Sequence, residues 1–495
     1  MRINKNMSAN YASRLWAGLS SFVFLPLYLR ILGPEAFGLV TFSASVLGLL
    51  FIVDMGISNA FAREMARETQ REKLADLLRS LESVYLGIVL VVTIVAVLAS
   101  GPIADHWLNA SNLGHDQVRW SVALMLIAAV LQVMMSLYIG ALLGSNRHVE
   151  AAKYQIGFGL VRSGVVLVPL YFQPVVELVF AWQLGASLIG LLLLRKAVWG
   201  TIRPHSPPHF SSEALHGIRG FAGGMFGIAL ISAINTQSDR LVVSKIFSLD
   251  ELGSYSLAAL IGQIPSMLAL PLAVTVLPRL TGHVTQGQSD ELTTLYMRYS
   301  FMVSFVAFSA ALGVIVGAPH LLTLLKGSAP SDELVMVARV LAGGAVLLAA
   351  QFMPYHLAIA SGHTRTSLIL GSLSAIFMPM AMFASATHLG LVGVALPWLV
   401  MNGIAAIFLA WYVTPQFLGH FTMQWAWKCN LIPMLLSAMT ILPLSLIAND
   451  HNNPLTFLAI LALICGTSLA VNSVICHYLF PEKPENQPLS IDITS

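Results

Sequence analysis

Long apolar runs recur along the whole chain, and they constrain its fold more than any other feature. About fourteen segments reach the roughly 20 residues that an α-helix needs to cross the hydrocarbon core of a bilayer. They cover approximately residues 12–32, 37–56, 82–104, 118–142, 153–172, 175–195, 218–245, 253–278, 297–318, 334–360, 367–386, 390–412, 429–448 and 454–477. Connections such as GPEAFG and ATHLG are too short for a folded domain outside the membrane. The pattern predicts an all-α integral membrane protein with about 14 transmembrane helices.

The composition agrees with this prediction and excludes several classes of protein. Hydrophobic residues make up 57% of the 495 residues and charged residues only 10%, whereas ordinary soluble domains carry roughly 25% charged residues. The net charge of +3 is small and its cations are dispersed, so we expect no nucleic acid partner. Cys429, Cys465 and Cys476 show no CxxC or Cys/His ligand spacing, so neither a metal site nor a disulfide framework is expected.

Lysine and arginine are distributed unevenly over the two ends of the spans. With the N-terminus in the cytoplasm, most of the 26 Lys and Arg residues fall in inner loops or at inner helix ends, as the positive-inside rule requires. The segment before the first span is polar, and the apolar stretch after it lacks an A-x-A cleavage site. We therefore interpret it as an uncleaved span, not a signal peptide, and place both termini in the cytoplasm.

One early inner loop has the pattern of an amphipathic helix. Arg63, Arg67 and Arg71 are spaced four residues apart, and Glu64 and Glu68 stand three residues before Arg67 and Arg71. Pairs at this spacing face each other on a helix. We expect a helix on the inner membrane surface, held by anionic lipid; the alternative is a coupling helix that moves with a gate.

A duplication explains why one short pattern occurs twice. LYLRILGPEAFGLV, residues 27–40, and VSKIFSLDELGSYSL, residues 243–257, each have an apolar run with one cation, a turn with an acid, and a glycine that opens the next apolar run. Other matches occur at a similar offset of about 215 residues. They pair Arg30 with Lys245, Trp182 with Trp398, GSNR at 144–147 with GHTR at 362–365, and Gln132 with Gln351.

The duplication predicts the domain organisation. Residues 1–216 form an N-terminal six-helix lobe, residues 217–412 a C-terminal six-helix lobe, and residues 413–495 two additional transmembrane helices and a cytoplasmic tail. Because each repeat has an even number of helices, the two lobes enter the membrane in the same orientation. We expect them to be related by an axis along the membrane normal, with a central cavity that opens alternately to each side.

Charged residues within the spans are the candidate functional groups. A charge near the bilayer centre costs on the order of 2.5–3.5 kcal/mol, so such groups normally face a bundle interior or a wet cavity. Arg162 lies about nine residues from either end of its span, too deep to reach the interface easily. The Arg162 side chain either lines the cavity or bonds to a helix carbonyl or an acid. Asp239 and Arg240, after Asn235, point about 100° apart and should each find a partner elsewhere.

Other polar residues admit two readings each. Arg30 and Lys245 either face one another near the outer mouth or extend to the interface as isolated cations. Asp54 ends the second span, where a helix dipole opposes a carboxylate, so we expect Arg14 or Arg63 to compensate it; otherwise it is a solvated loop residue. Gln132 and Gln351 are hydrogen bonders that suit a sugar, although packing within the core would explain them equally.

Motifs of the common membrane and soluble enzymes are absent from the sequence. There is no P-loop, so we expect no ATP hydrolysis on this chain, and neither H-E-x-x-H nor G-x-S-x-G occurs. No acidic D-x-D pair is present to hold a metal for a nucleotide-sugar transferase. We therefore expect a transport protein without cofactor or metal, and not an enzyme.

The first seventy residues resemble a known family. LPLYLRILGPEAFGLVTF, followed by FIVDMGISNAFAREMARE, is similar to the start of Wzx-type O-antigen and polysaccharide flippases, in the multidrug/oligosaccharidyl-lipid/polysaccharide exporter superfamily. The R-x-L-G-x-x-x-F/Y-G turn and the D-x-G before a basic helix carry the resemblance. The helix count, the six-plus-six repeat and the G-x-x-R loops extend it over the chain.

The resemblance implies a bacterial inner-membrane transporter that moves an undecaprenyl-pyrophosphate-linked oligosaccharide from the cytoplasmic to the outer leaflet. Buried arginines would hold the pyrophosphate, polar groups the sugars, and membrane lipid the prenyl tail. Movement of H⁺ or Na⁺ would be coupled through Asp54 or Asp239, and polysaccharide polymerase machinery would be a contact partner. A lipid II flippase or a drug/cation antiporter of the same fold remains an alternative, and a membrane polysaccharide polymerase or ligase a more distant one.

Overall fold

The computed structural model of the chain describes residues 5–54, 56–363, 365–419, 422–448 and 453–480. Within these residues the chain runs through consecutive α-helices joined by short turns, and most of the helices contain one of the apolar runs. The helices are α1 Lys5–Leu32, α2 Pro34–Leu50, α3 Ile57–Arg67, α4 Arg71–His106, α5 His115–Gly144, α6 His148–Gly159, α7 Leu167–Phe172, α8 Val176–Ile202, α9 Ser212–Ile246, α10 Leu249–Gly262, α11 Ile264–Gln286, α12 Ser289–Lys326, α13 Asp332–Ala360, α14 Arg365–Phe408, α15 Thr414–Leu418, α16 Thr422–Gln424, α17 Ile432–Ala448 and α18 Pro454–Leu479.

The helices confirm an all-α integral membrane protein. Among the described residues, 12 helical segments are long and apolar enough to cross a membrane, and a shorter apolar helix, Gly18–Leu32, matches the first expected span. One of the 12, Arg365–Gln416, covers two expected spans. Its helix breaks at Gly390, whose φ of 61° and ψ of −144° are not helical. The count of fourteen spans is therefore approximate.

Short turns of other helix types interrupt the apolar helices. A 3₁₀ turn, Phe51–Asp54, ends α2, and a π-helical turn, Leu160–Val165, separates α6 from α7. Two further π-helical turns are Leu409–Val413 and Trp425–Leu431. A π turn shifts the backbone hydrogen-bond register by one residue, so some carbonyl groups lose their usual helical partner.

The described residues divide into two compact units. Unit 1 lies within Met1–Leu260, Leu325–Val337 and Leu368–Trp398, and unit 2 contains the remaining segments. These units follow spatial contacts and not sequence duplication. The division into lobes 1–216 and 217–412, with residues 413–495 as an addition, therefore stays a prediction.

Each unit has its own hydrophobic core. In unit 1, α3, α4, α5 and α8 contribute a cluster that includes the fully buried side chains of Phe61, Tyr85 and Tyr138. In unit 2, a second cluster forms around Tyr296 and Phe301 of α12. Other faces of the helices expose large apolar side chains, as expected of helices that contact lipid.

The two duplicated turns pack directly against each other in unit 1. A Cβ atom on Gly38, near the start of α2, would overlap the backbone carbonyl of Leu249 at the start of α10. Gly253 of α10 is equally confined, because its Cβ would lie 2.8 Å from a ring carbon of Phe37 and 3.2 Å from the Pro34 carbonyl. The repeated glycine is thus explained by a close approach of two helix N-termini.

The expected amphipathic helix is present but shorter than its charge pattern. Helix α3 ends at Arg67, and Glu64 and Arg67 form the expected ion pair at 3.7 Å. Glu68 instead accepts hydrogen bonds from the backbone N–H groups of Thr69 and Gln70, both at 2.9 Å, where the chain turns into α4. One face of α3 is buried in the core of unit 1. The helix therefore packs against the protein interior as well as lying at the predicted membrane surface.

Candidate functional site

The π-helical turn in the fifth apolar span holds Arg162. Two carbonyl groups of this turn are bonded from neighbouring helices: Tyr28 Oη donates to the Ser163 carbonyl and Trp182 Nε1 to the Val161 carbonyl, both at 2.9 Å. α1 and α8 thus fix the turn from two sides. Since π turns concentrate at functional positions, this one marks Arg162 for attention.

The Arg162 side chain has no anionic partner among the described residues. Its Nε atom is buried and makes no hydrogen bond, and no carboxylate of the described residues lies within 4.0 Å of the guanidinium. The side chain is half-buried. The expected alternative of a tie to an acid is therefore not observed in the described part of the chain. A guanidinium in this condition can accept an anion without first breaking an ion pair.

Helix α9 carries a second group of incompletely bonded polar side chains. Asn235 donates from Nδ2 to the Gly371 carbonyl of α14 at 3.0 Å, whereas its Oδ1 atom is buried without a partner. Arg240 Nε is likewise buried and unbonded, and so is Gln237 Oε1. Gln237 was not among the candidate site residues predicted from the sequence. The unbonded atoms of these three side chains are two hydrogen-bond acceptors and one donor.

Asp239 and Arg240 do not form an ion pair with each other in the described structure. Tyr255 of α10 donates its hydroxyl to Asp239 Oδ2 at 3.3 Å. The angular separation of neighbouring residues on a helix accounts for this arrangement. Asp239 thus has a partner on the next helix, as the sequence predicted it would.

Lys245 and Arg30 occupy exposed positions at helix ends. The Lys245 ammonium donates to the His106 carbonyl and lies 5.5 Å from the ring centre of Trp107. The Arg30 side chain lies beside Gly327. These contacts are typical of a cation at the membrane interface. They favour the interpretation of Lys245 as an interfacial cation over a pairing with Arg30.

The two glutamines have structural contacts. Gln132 is buried and donates to the Ala128 carbonyl of its own helix at 3.2 Å. Gln351 in unit 2 donates to the Leu347 carbonyl of its own helix at 3.1 Å and to Asn402 Oδ1 at 3.0 Å. These bonds fit the packing interpretation, and a role in binding sugar stays a prediction.

Asp54 is buried, and among the described side chains it is compensated by hydroxyl groups and not by a cation. Ser58, Tyr85 and Ser136 all surround its Oδ1 atom at hydrogen-bonding distance. Arg63, an expected partner, instead lies 4.9 Å from the ring centre of Phe221. The other expected partner, Arg14, belongs to α1, and its side chain lies outside the part of the structure that is described.

A buried acid that sequence reasoning missed organises the interior of unit 1. Glu82 of α4 is 2% exposed and accepts from Arg195 Nε at 2.8 Å, Tyr138 Oη at 2.7 Å and Trp199 Nε1 at 2.8 Å. A second Arg195 nitrogen lies 3.2 Å from its other oxygen. The network thus links α4, α5 and α8 through one side chain. Only the position of Glu82 at the start of an apolar run could have indicated it.

The α4–α5 connection, residues 107–114, binds both duplicated turns. Trp107 donates to Ser244 Oγ at 3.0 Å, and the Asn109 carbonyl accepts from the Leu249 N–H at 3.2 Å. On the other side, Glu35 accepts from the backbone N–H groups of Ser111 and Asn112. A cleft of about 350 Å³ lies where these segments meet. The orientation predicted from the Lys and Arg distribution would put this end of unit 1 at the outer surface.

Comparison with known proteins identifies the family. A model of polysaccharide biosynthesis proteins matches residues 3–283, more than half of the chain. The chain belongs to this family. A putative O-antigen transporter of Shigella flexneri is 22% identical over 434 residues, which cover 84% of this chain and 98% of the relative. The lipopolysaccharide biosynthesis protein WzxC of Escherichia coli K12 is 23% identical over 321 residues, covering 63% and 62%.

Solved structures of transporters share the fold. The lipid II flippase MurJ in an inward closed conformation superimposes with a TM-score of 0.75 at 14% identity, covering 96% of this chain and 98% of that one. A multidrug resistance MATE family transporter in an inward-facing conformation gives 0.60 at 18% identity, with 86% and 96% covered. At such identities the likeness establishes the fold of this family member and leaves its substrate to other evidence.

Proposed function

We propose that the chain is a flippase that translocates undecaprenyl-pyrophosphate-linked oligosaccharide units across the bacterial inner membrane. It is a transporter and not an enzyme. The substrate crosses from the cytoplasmic to the outer leaflet as the lobes 1–216 and 217–412 expose a central cavity to each side in turn. The additional helices in 413–495 face lipid and accompany the prenyl tail. The family assignment and the transporter relatives support this reading.

The observation that carries the proposal is the state of Arg162. Its guanidinium lies within a membrane span, has no carboxylate within 4.0 Å among the described residues, and keeps a buried Nε without a hydrogen bond. Such a charge is costly to keep in a membrane unless an anion uses it. Arginine grips phosphate with paired donors, so the pyrophosphate is the anion that fits. Arg240, whose Nε is also unbonded, is the second phosphate ligand.

The other candidates have supporting roles. Asn235, with its unbonded oxygen, binds sugar hydroxyls. Gln132 and Gln351, each hydrogen-bonded within its own unit, are further candidates for sugar contact. Arg30, Lys245 and Arg14 attract the anionic head group at the two mouths of the pathway. Asp54 and Asp239 are the carboxylates through which transport is coupled to H⁺ or Na⁺.

The cellular setting follows from the same proposal. The multi-pass chain lies in the inner membrane with both termini in the cytoplasm, in agreement with the distribution of Lys and Arg. Its substrate comes from cytoplasmic glycosyltransfer and is delivered to polysaccharide polymerase machinery at the outer face.

Two alternatives share the fold. MurJ acts on lipid II and the MATE protein is a multidrug transporter, and both superimpose on this chain. The family description and the O-antigen relative favour an oligosaccharide substrate. Drug efflux that depends on Asp239, without a polysaccharide phenotype, would favour the antiporter.

Binding of the lipid-linked substrate tests the proposal. The purified chain is titrated with undecaprenyl-pyrophosphate-linked oligosaccharide, and Arg162→Ala and Arg240→Ala are compared with wild type. Loss of a desolvated phosphate contact costs at least about 1.4 kcal/mol, so each variant should bind about ten-fold more weakly or worse.

An exposed arginine provides the matched control. Arg119→Ala, on the exposed face near the start of α5, removes the same charge outside the proposed site and should leave affinity unchanged. Equal affinity of wild type and both site variants would overturn the assignment. Equal affinity for undecaprenyl phosphate without sugar would argue against recognition of the oligosaccharide.

A further inference from the structure

The backbone on either side of Arg162 is bonded by two side chains from other helices. In a regular α-helix the Val161 and Ser163 carbonyls accept hydrogen bonds from the N–H groups four residues later. In the π-helical turn both carbonyls accept side-chain donors. Tyr28 Oη of α1 donates to the Ser163 carbonyl, and Trp182 Nε1 of α8 donates to the Val161 carbonyl, both at 2.9 Å.

The hydrogen-bond register of this turn determines where Arg162 points. A π turn contains one residue more than the α-helical turn that it replaces, and each residue turns an α-helix by about 100°. Conversion to the α-helical register would therefore rotate the helix before the turn by about 100° relative to α7. Because Arg162 lies within the turn, its guanidinium would leave the position that it has here.

The two side-chain donors favour the π register. A backbone carbonyl without a hydrogen-bond partner is costly inside a membrane. In the α-helical register the carbonyls of the turn have helix N–H groups as partners, so the side-chain donors matter most in the π register. The Tyr28 hydroxyl belongs to a side chain that is 3% exposed, so water does not readily replace it. Loss of either donor should shift the turn towards the α-helical register.

Two glycines allow α1 to reach the turn. A Cβ atom on Gly164 would lie 3.0 Å from Cζ of Phe24, and a Cβ atom on Gly159 would lie 3.2 Å from Nε1 of Trp16. Aromatic side chains of α1 therefore lie directly against the backbone before and within the turn. This close packing holds the tyrosine hydroxyl of α1 at its carbonyl acceptor.

We propose that Tyr28 and Trp182 are positioning residues for substrate binding. Their hydrogen bonds keep the π register in which Arg162 presents its guanidinium to the pyrophosphate. Neither side chain needs to touch the substrate for this role. The inference rests on the proposed function, because it takes Arg162 as the phosphate ligand. Neither positioning residue was among the site residues predicted from the sequence.

Binding of undecaprenyl pyrophosphate to the purified full chain tests this role. Affinity is measured by isothermal titration calorimetry for wild type, Tyr28→Phe, Trp182→Phe and Arg162→Ala. The two phenylalanine variants keep an aromatic ring and lose the hydrogen-bond donor. Each should bind at least about three-fold more weakly than wild type, and no more weakly than Arg162→Ala.

Double variants separate positioning from general destabilisation. If Tyr28 acts through Arg162, Tyr28→Phe weakens binding in the wild-type background and causes no further loss in the Arg162→Ala background. The same result is expected for Trp182→Phe. A purely structural effect would lower affinity by the same factor in both backgrounds.

Tyr138 provides the matched control. It is a second buried tyrosine of unit 1, and its hydroxyl donates to Glu82 Oε1 at 2.7 Å, outside the π turn. Tyr138→Phe should lower the unfolding midpoint and keep the wild-type affinity.

The inference is overturned if both phenylalanine variants of the turn bind like wild type, or if their losses are the same with and without Arg162. Failure of the proposed function gives a different result, which is wild-type affinity of Arg162→Ala itself. That result would also overturn the inference, because it removes the ligand that Tyr28 and Trp182 position.

Discussion

At the scale of single residues, the buried charges of unit 1 are of two kinds. Glu82 is fully satisfied, with donors from Arg195, Tyr138 and Trp199. Arg162 has a buried Nε that makes no bond. A satisfied charge stabilises one packing arrangement, whereas an unsatisfied one is a candidate for binding a ligand. Substitution of Glu82 should therefore change the stability of the chain, and substitution of Arg162 should change substrate affinity.

Glu82→Gln should destabilise the chain without changing substrate affinity. The amide keeps the shape of the side chain but loses its charge, and its NH₂ group would face an Arg195 nitrogen. Loss of hydrogen bonds to a charged group costs about 1.5–3 kcal/mol, which thermal or denaturant unfolding in detergent would detect. Glu72→Gln, at an exposed position on the same helix, should change stability by less than about 0.5 kcal/mol. Equal stability of the two variants would show that the Glu82 network contributes nothing.

The depth of Arg162 could be predicted from the sequence, but the partners of Glu82 could not. A charged residue in the middle of an apolar run can be recognised as buried from its position in the sequence alone. Glu82 stands near the end of its span, and its partners lie 56 to 117 residues away along the chain. Asp54 was singled out for its place at a helix end, yet hydroxyl groups surround it where a cation was expected. Tertiary contacts at such distances leave no periodic trace in a single sequence.

At the scale of elements, the apolar runs were sufficient to predict the helices, because a backbone in lipid must satisfy its own hydrogen bonds. Interruptions of the helices were less predictable. The break at Gly390 and the π-helical turn at Leu160–Val165 depend on contacts with other helices. The duplicated turns were recognised as equivalent, but their direct contact emerged only in three dimensions.

Gly38→Ala should separate the duplicated turns. The added methyl group would overlap the Leu249 carbonyl, a backbone atom that cannot rotate away. Overpacking of this kind costs about 1–3 kcal/mol or more, measurable as a lower unfolding midpoint. The matched control is Gly217→Ala in α9, where a Cβ atom has open space and the gain in helix propensity reaches up to about 1 kcal/mol. A Gly38→Ala variant as stable as wild type would contradict the close approach.

At the scale of the whole molecule, the proposed function requires alternating access between the two repeats. The α4–α5 connection binds the first repeat at Glu35 and the second at Leu249, at the end assigned to the outer surface. Under the proposed function, release of substrate to that side would require this connection to separate from one of the two repeats. The conformation described here is accordingly one in which that end of unit 1 is held together.

A disulfide between the α4–α5 connection and the second duplicated turn would hold this end of unit 1 closed. Comparison of the oxidised and reduced forms then gives an internal control for transport. Asn109 and Ser248 form a parallel β-bridge, and bridged residues have Cα atoms about 5 Å apart, within the range of a disulfide. With Cys429, Cys465 and Cys476 replaced by alanine, Asn109→Cys and Ser248→Cys are introduced together. The oxidised variant should bind substrate but not transport it, and reduction should restore transport.

The most direct measurement follows fluorescent undecaprenyl-pyrophosphate-linked oligosaccharide in proteoliposomes, with a membrane-impermeant quencher to distinguish the leaflets. Wild-type chain should make substrate from the inner leaflet accessible much faster than protein-free vesicles or the oxidised double-cysteine variant. If the wild-type rate equals that of protein-free vesicles while the chain remains folded, the proposed flippase function is contradicted.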